Sequence, residues 1–399
     1  MPWKEANAVE QRLEFVQRAG RGEIPFAQLC REFGIAPKTG YKWKERYELE
    51  GLRGLSELSR RPRSCQTSLD ENCICELIRL KNLHPAWGPE KIRELYRRAS
   101  PGRPLPSRSS VQRILGKAGL VQQRRRRRRR PEDLGRISQR FEPTAPNQLW
   151  TVDFKGWWYC SQGEKVLPLT VCDAFSRYVL LVEVVPDARM ETVRDCFARL
   201  FEQHGLPLCI RSDNGPPFAC SRAPLGLSRL SAWWLAQGIC LDRSRPGSPQ
   251  DNGSHERMHR DIALEVEGRV QGGLAAQQAA LSLWREDYNR LRPHGALGLR
   301  MPAELYRPSL RRYDPQPGAA EYPLEYLRRR VTTSGCIRME GRAIRVTSAL
   351  RGWEVGLQPL GAGRFNIWFG SLRLGELSIT DAKFTPEREL TYTVQGGNT

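Results

Sequence analysis

The sequence predicts a protein of several domains, with an all-α N-terminal region, a central α/β region and a small all-β region at the C-terminus. Its 399 residues exceed the usual size of a single domain. Apolar residues recur at helical spacing through about the first 120 residues, and from Leu149 they alternate at the period of a strand. After residue 321, short apolar runs separated by glycines are typical of a small β domain.

Composition and charge exclude several classes of protein. A hydrophobic content of 39% argues against disorder. The sequence has no run of 18 apolar residues and begins with a charged segment, so we expect a cytoplasmic protein with no membrane partner. Eleven cysteines without CxxC spacing predict reduced thiols. The net charge is +20, and +15 of it lies in the first 142 residues, which favours a nucleic-acid partner and a nucleoid-associated location.

Residues 1–64 are predicted to form a helix-turn-helix domain. A turn at Gly34 separates two helical segments, and the second begins at Pro37, since proline favours the first position of a helix. The N-terminal end of this second helix would face base edges in the major groove. The side chains expected to contact DNA are Lys38, Thr39, Tyr41 and Lys42. The alternative is a small helical bundle with a basic surface.

Residues 65–123 are predicted to form a second helical domain, and residues 124–142 an arginine-rich linker. Capping hydroxyls at Ser107 and Ser109 precede the last helix of the second domain. Seven consecutive arginines repel one another and stay extended, so we expect them to contact phosphates or a minor groove. The alternatives are a solvated linker and a translocation signal. These arginines are Arg124, Arg125, Arg126, Arg127, Arg128, Arg129 and Arg130.

Residues 143–312 are predicted to form a catalytic core with three acidic residues as candidate metal ligands. Asp153 lies in a predicted strand at 148–159, the first of three in an antiparallel meander. Asp213 ends a short buried strand, and Glu256 follows a helix-start composition. Carboxylates from a strand, a strand end and a helix can converge on one point, and such oxygen ligands suit Mg²⁺ or Mn²⁺.

The phrases around these residues carry a resemblance to a known family. LWTVDFKG, SDNGPPF and the sequence PQDNGSHERMHR resemble the three motifs of the DDE transposases of bacterial insertion sequences, which belong to the integrase-core (retroviral-integrase-like) superfamily. The match covers about residues 143–308. Asp213 and Glu256 are separated by 42 residues, more than the family commonly has, and we assign the excess to a loop at 219–229.

The resemblance implies a ribonuclease-H-like fold and phosphoryl transfer with two Mg²⁺ (or Mn²⁺) ions. Asp153 would bridge both ions, while Asp213 and Glu256 would each hold one. Attack by water would nick the end of the element, and attack by a 3′-hydroxyl would join it to target DNA. Asn214 and Arg260 would lie near the DNA phosphates.

The resemblance also implies the partners of the other domains. Residues 65–123 would be a second helix-turn-helix domain, with Arg108, Ser109 and Arg113 on the DNA. Together the two domains would bind double-stranded DNA at the terminal repeats, and pairing two ends would require a homo-oligomer. Residues 321–399 would form a small barrel that binds DNA or partner subunits, or that serves only stability.

Several alternatives compete with the metal triad. Asp153 could pair with Lys155, Asp213 could cap a turn, and Glu256 could pair with Arg260. Residues 255–259 also spell HExxH, the motif of zinc peptidases, although no third ligand is evident. Asp173 is interpreted as a turn residue at a strand end. A further alternative for the whole chain is a non-catalytic DNA-binding regulator, such as a repressor or domesticated form of a transposase.

Overall fold

The computed structural model describes residues 7–57, 69–121, 141–244 and 253–392, and these residues form two compact units that divide between Leu69 and Asp70. Among the described residues no helix is both long and apolar enough to cross a membrane. The arginines predicted to contact phosphates, Arg124 to Arg130, lie outside the described residues.

The first unit is a helical domain with its own core. Its helices are α1 (Ala8–Arg21), α2 (Phe26–Glu32) and α3 (Pro37–Glu50), followed by a 3-10 turn at Gly51–Leu55. Asn7 caps α1, and Pro37 opens α3 as expected. Gly40 lets α3 approach closely, because a Cβ there would lie 2.8 Å from Cys30 Sγ. The buried apolar residues are Phe15, Val16, Leu29, Cys30, Trp43 and Leu55.

The second unit opens with three packed helices, α4 (Glu71–Leu83), α5 (Pro89–Ala99) and α6 (Arg108–Lys117). The predicted hydroxyl cap of α6 is present, since Ser107 Oγ accepts a hydrogen bond from Ser110 N at 3.1 Å. Arg98 of α5 binds Glu304 with 2.5 Å between Nη1 and Oε1. The three helices therefore contact the region that carries the candidate site.

A five-stranded sheet forms the centre of this unit, in the order β5-β4-β1-β6-β7. Strand β4 runs antiparallel to β1, whereas β5, β6 and β7 run parallel to β1, because β5 pairs antiparallel with β4. This is the predicted meander followed by alternating helices and strands. The sheet strands are β1 (Leu149–Phe154), β4 (Pro168–Asp173), β5 (Val179–Val184), β6 (Cys209–Ser212) and β7 (Cys240–Arg243). The helices are α7 (Met190–His204), α8 (Arg229–Ala236), α9 (Gly253–Glu265), α10 (Leu274–Arg290) and α11 (Pro302–Leu305).

The predicted strand at 148–159 is wrong in one respect, because the chain turns within it. Gly156 has φ +91°, which ends β1, and the following residues form a separate hairpin of β2 (Trp158–Tyr159) and β3 (Lys165–Val166). The alternating pattern continues through the turn, so periodicity alone could not reveal it. The hairpin is therefore a distinct element beside the end of β1.

The C-terminal segment is β-rich, as predicted. Its five-stranded sheet has the order β14-β13-β12-β11-β8, and β9 pairs with β10 in a hairpin. The predicted strands are present, together with the two sheet-edge strands β8 and β14, which their many charged residues concealed. The strands are β8 (Leu327–Arg330), β9 (Cys336–Met339), β10 (Arg342–Arg345), β11 (Glu354–Gly361), β12 (Arg364–Phe369), β13 (Leu372–Ser378) and β14 (Lys383–Tyr392).

One apolar cluster joins this segment to the central sheet. Trp233 and Leu235 of α8 belong to the same buried cluster as Val331, Ile337 and Leu350 of the C-terminal segment. The hydroxyl of Tyr392 in β14 accepts a hydrogen bond from Leu241 N at 2.7 Å and donates to Leu241 O at 3.2 Å. The C-terminal sheet therefore binds the outer edge of β7, the last strand of the central sheet, through the Tyr392 hydroxyl.

Candidate active site

Two of the three candidate carboxylates lie at the same level on neighbouring parallel strands. Thr151 of β1 pairs with Arg211 of β6, and Asp153 and Asp213 each follow two residues later. Glu256 lies in the first turn of α9. Asp213 and Glu256 are exposed, whereas the Asp153 side chain is only 29% exposed.

Electrostatic repulsion connects the three carboxylates. The pKa of Asp153 is raised to about 7, mainly by burial and further by the negative charges of Asp213 and Glu256. Lys155 does not relieve this repulsion, because its ammonium group binds Glu267 and lies 4.7 Å from the centre of the Trp158 ring. Among the residues that the structure describes, Asp213 and Glu256 have no ion-pair partner.

The three carboxylates are candidate ligands for a divalent cation. Within the described residues no group of three His, Cys, Asp or Glu side chains forms a ready-made metal site. However, the carboxylates of Asp213 and Glu256 repel that of Asp153, and a hard cation, which prefers oxygen ligands, would relieve this repulsion. Burial, together with this repulsion, raises the pKa of Asp153 to about 7, so a cation would displace the proton of Asp153 on binding.

The two histidines of the HExxH phrase bind threonines. The ring nitrogens of His255 lie 2.8 Å from Thr151 Oγ1 and 2.7 Å from Thr170 Oγ1, and His259 Nε2 lies 2.8 Å from Thr170 Oγ1. With both nitrogens engaged and 1% exposure, His255 is a structural residue, and the zinc-peptidase alternative has no geometric support.

Thr170 is at the centre of this buried network. Its hydroxyl also contacts the backbone oxygen of Asp153 at 2.8 Å, and it lies directly opposite Asp153 in the β1–β4 pair. His259 Nδ1 lies 4.0 Å from Asp153 Oδ2, and burial lowers the pKa of His259 to about 4, so the ring is neutral. The network therefore ties α9, which carries Glu256, to the strand that carries Asp153.

The loop after β6 is close to the Asp213 carboxylate. A Cβ added at Gly215 would lie 3.0 Å from Asp213 Oδ2, and Asn214 Nδ2 donates to Ser244 O at 2.6 Å. Asn214 itself is exposed. Asp173, by contrast, is fully buried and accepts hydrogen bonds from Asn147 N and Ser176 N, each at 2.7 Å, which confirms its role at a turn.

The predicted DNA-contacting side chains within the described residues are mostly exposed. Those that are exposed comprise Lys38, Tyr41, Lys42, Arg108, Ser109, Arg113, Asn214 and Arg260. Thr39 is half-buried, and the Tyr41 ring stacks on Phe26 with centroids 4.2 Å apart. Lys38 and Lys42 therefore remain available for a partner on the first turns of α3.

Sequence reasoning missed two features of the site. Thr151 and Thr170 gave no signal, because a threonine in a strand is ordinary. The exposure of the Trp157 and Tyr159 side chains, just after β1, was also missed, since the predicted strand ran through them. The HExxH phrase could have indicated the buried threonine–histidine network, because two histidines spaced four residues apart share one face of a helix and can bind the same partner.

Comparison with known proteins places the chain in a family. The integrase core domain family matches residues 143–249 and, with a second model, residues 237–302. A helix-turn-helix domain family matches residues 11–63, and a homeodomain-like domain family matches residues 39–115. The catalytic core domain of BIV integrase is 26% identical, with 40% of this chain and 93% of that chain covered and a TM-score of 0.31.

Two of the relatives are proteins of bacterial insertion elements. A 31.7 kDa uncharacterized protein of IS407 from Burkholderia multivorans is 30% identical over 244 residues, which covers 59% of this chain and 81% of the relative. A 39.2 kDa uncharacterized protein of IS476 from Xanthomonas euvesicatoria is 28% identical over 262 residues, which covers 64% and 70%. The chain thus belongs to the insertion-sequence transposases of the integrase-core superfamily, with helix-turn-helix domains ahead of the core.

Proposed function

We propose that this protein binds the terminal inverted repeats of its insertion element and catalyses Mg²⁺-dependent 3′-end cleavage and strand transfer. The observation that supports the proposal best is the placement of Asp153 and Asp213 at one level of neighbouring parallel strands, with Glu256 close enough to raise the pKa of Asp153. Family membership supports the same reaction class, polynucleotidyl transfer.

Asp153, Asp213 and Glu256 would hold two Mg²⁺ or Mn²⁺ ions. When bound, the ions would supply charge that activates the attacking water or 3′-hydroxyl and stabilises the leaving oxygen. The chain itself provides positioning: Thr170 and the two histidines fix β1 against α9. Arg260, exposed one turn beyond Glu256, would contact a phosphate. No side chain has to act as a nucleophile.

The remaining regions would hold DNA. In this proposal residues 1–64 and 65–123 are two DNA-reading domains, residues 124–142 follow the phosphate backbone, and residues 143–312 form the catalytic core. The β-rich segment at 321–399 would close into a barrel that binds DNA or a partner subunit. Two element ends must be brought together for joining, so the active species would be a homo-oligomer.

A strand-transfer assay tests the proposal. Purified protein, pre-nicked element ends and Mg²⁺ should give joined products, and Asp153→Asn, Asp213→Asn and Glu256→Gln should each abolish joining while DNA binding persists. An exposed carboxylate on another helix, Glu191 at the start of α7, provides the matched control Glu191→Gln, which should remain active. DNA binding without joined product at any salt concentration would instead favour the non-catalytic regulator.

A further inference from the structure

The hairpin β2–β3 next to β1 has two chemically different faces. Trp158 pairs with Val166, and both are buried in an apolar cluster with α9 and α10. Tyr159 pairs with Lys165 on the opposite face. Trp157 is on this outer face too, with its ring centroid 5.3 Å from that of Tyr159. Trp157 is 55% exposed and Tyr159 63% exposed.

The hairpin is anchored, so the outer face is held in a fixed position. Ser161 Oγ accepts a hydrogen bond from Gly272 N at 2.8 Å, and Trp158 Nε1 donates to Gln277 Oε1 at 3.3 Å. A Cβ on Gly273 would lie 2.3 Å from Gln162 Oε1, so the hairpin loop contacts the start of α10 directly. Rigid exposed aromatic rings lose little entropy when a ligand stacks on them.

Charge identifies the partner of this face. Lys165 Nζ lies 5.1 Å from the centre of the Trp157 ring, which places a positive charge beside the exposed rings. A basic group next to exposed aromatic rings is the arrangement that binds single-stranded nucleic acid, because bases stack on the rings while the cation meets the phosphates. An apolar protein partner would not require the lysine.

The position of the face identifies which part of the DNA would reach it. Trp157 lies four positions after Asp153 in the chain, so their Cα atoms are at most about 14 Å apart. Successive nucleotides of a strand are spaced by about 3.4 Å, so the face lies within about four nucleotides of a phosphate at Asp153. A base offers its flat surface to a side chain only where it is unpaired and unstacked.

We propose that Trp157 and Tyr159, assisted by Lys165, stack an unpaired base of the DNA strand close to the phosphodiester at Asp153. This inference rests on the proposed function, because it places the reacting DNA at Asp153. The outer face of the hairpin is then a binding site for single-stranded DNA adjoining the reaction centre, distinct from the duplex-reading surfaces of the N-terminal domains.

Binding of the full-length protein to two DNA duplexes without divalent ions tests the proposal. One duplex is blunt, and the other carries a three-nucleotide single-stranded extension that contains 2-aminopurine. The wild-type protein should bind the extended duplex more tightly and quench the 2-aminopurine fluorescence. Trp157→Ala should weaken binding to the extended duplex about tenfold, abolish the quenching, and leave blunt-duplex affinity within about twofold. Trp157→Phe should retain most of the quenching.

Matched variants separate stacking from other effects. Leu283→Ala removes another exposed apolar side chain, from α10, and should change neither affinity. Tyr159→Ala provides a second test if Trp157→Ala lowers the melting temperature by more than about 2 °C. Asp153→Asn should keep the quenching yet lose strand transfer, so an active Asp153→Asn would refute the catalytic proposal without touching the stacking result.

Three outcomes would overturn the stacking site. The first is a wild-type protein without preference for the extended duplex, and the second is equal weakening of both duplexes by Trp157→Ala. The third is a Trp157→Ala protein that sediments as a smaller oligomer with unchanged affinity for the extended duplex, because the face would then be a contact between copies of this chain.

Discussion

At the scale of single residues, the protonation of Asp153 connects the fold to the proposed chemistry. Its pKa of about 7 in the folded chain compares with about 3.9 for an unfolded aspartate. The folded state therefore binds this proton more tightly, so the stability contributed by the group is fully present below about pH 4 and is lost as pH rises to about 7. Above that pH the ionised carboxylate destabilises the ion-free protein.

We predict that Asp153→Asn stabilises the ion-free protein at pH 8 by about 1–3 kcal/mol and has little effect at pH 4. The amide cannot ionise, so it avoids both the cost of burying a charge and the repulsion from Asp213 and Glu256. Denaturant unfolding at the two pH values measures the difference. Asp195→Asn, an exposed position on α7, serves as control. A stability gain of the same size at both pH values would show that charge is not the cause.

Mg²⁺ should act on the same residues. At pH 8, addition of Mg²⁺ is expected to raise the melting temperature of the wild-type protein and to have a clearly smaller effect on Asp153→Asn, since the ion binds only the folded arrangement of carboxylates. Differential scanning fluorimetry with and without the ion gives the answer. An equal shift in both proteins would mean that the ion binds elsewhere.

Thr170→Val tests the buried network. The valine has nearly the same shape but removes the hydroxyl partner of His259 and one of the two hydroxyl partners of His255, which should cost about 1–3 kcal/mol of unfolding free energy. Strand transfer should fall by about 10- to 100-fold through displacement of the Asp153 strand. The exposed Thr391→Val should be neutral in both measurements. Full activity in Thr170→Val would show that the network does not position Asp153.

At the scale of elements, the sequence predicted the helices and strands that are marked by neighbouring residues, such as a helix cap or a regular apolar spacing. Helices α3 and α6 begin where proline and serine caps indicated, and the central strands follow the predicted order of directions. The contact of Thr170 with His255 joins residues 85 apart in the sequence, so no local pattern could reveal it. Strands β8 and β14 were missed because edge strands carry charges that break the apolar alternation. The turn at Gly156 was hidden within a continuous alternation.

The exposed basic turn of α3 carries its own prediction. Lys38→Ala should weaken binding to the terminal repeat and reduce the magnitude of the log–log salt slope by about 0.9, because one phosphate contact is lost. Arg21→Ala, an equally exposed cation at the end of α1, is the matched control. Fluorescence anisotropy at several salt concentrations measures both slopes. Equal losses in the two variants would indicate a generally basic surface rather than a reading helix.

At the scale of the whole molecule, the described residues behave as two units with separate cores. The core of the first unit, which includes Phe15 and Trp43, consists of residues from that unit. In the second unit, one apolar cluster runs from the central sheet into the C-terminal strands, where Trp233 and Leu357 belong to the same cluster. The C-terminal segment therefore contributes to the stability of the candidate site.

Two truncations should consequently differ in outcome. A chain from residue 70 to the C-terminus should keep the melting temperature of the second unit. A chain from residue 70 to residue 320 should melt at least about 10 °C lower or aggregate, because it exposes the buried surface of α8 and frees the edge of β7. Circular dichroism melting compares them. Equal stability of both chains would show that the C-terminal strands are independent.

The hydrogen bonds between Tyr392 and Leu241 also restrict how such a protein can diversify. A recombination event could replace only the last strands with those of a distant relative. Such an event would remove the Tyr392 hydroxyl that binds the edge of β7 and would expose the indole rings of α8 to water. The first unit has its own buried core and does not contain this hydrogen-bonded pair, so exchanging it for another helix-turn-helix domain would leave the edge of β7 unchanged. A new preference for DNA sequence can therefore arise by exchange of the N-terminal unit. The C-terminal strands, by contrast, have to be inherited together with the central sheet.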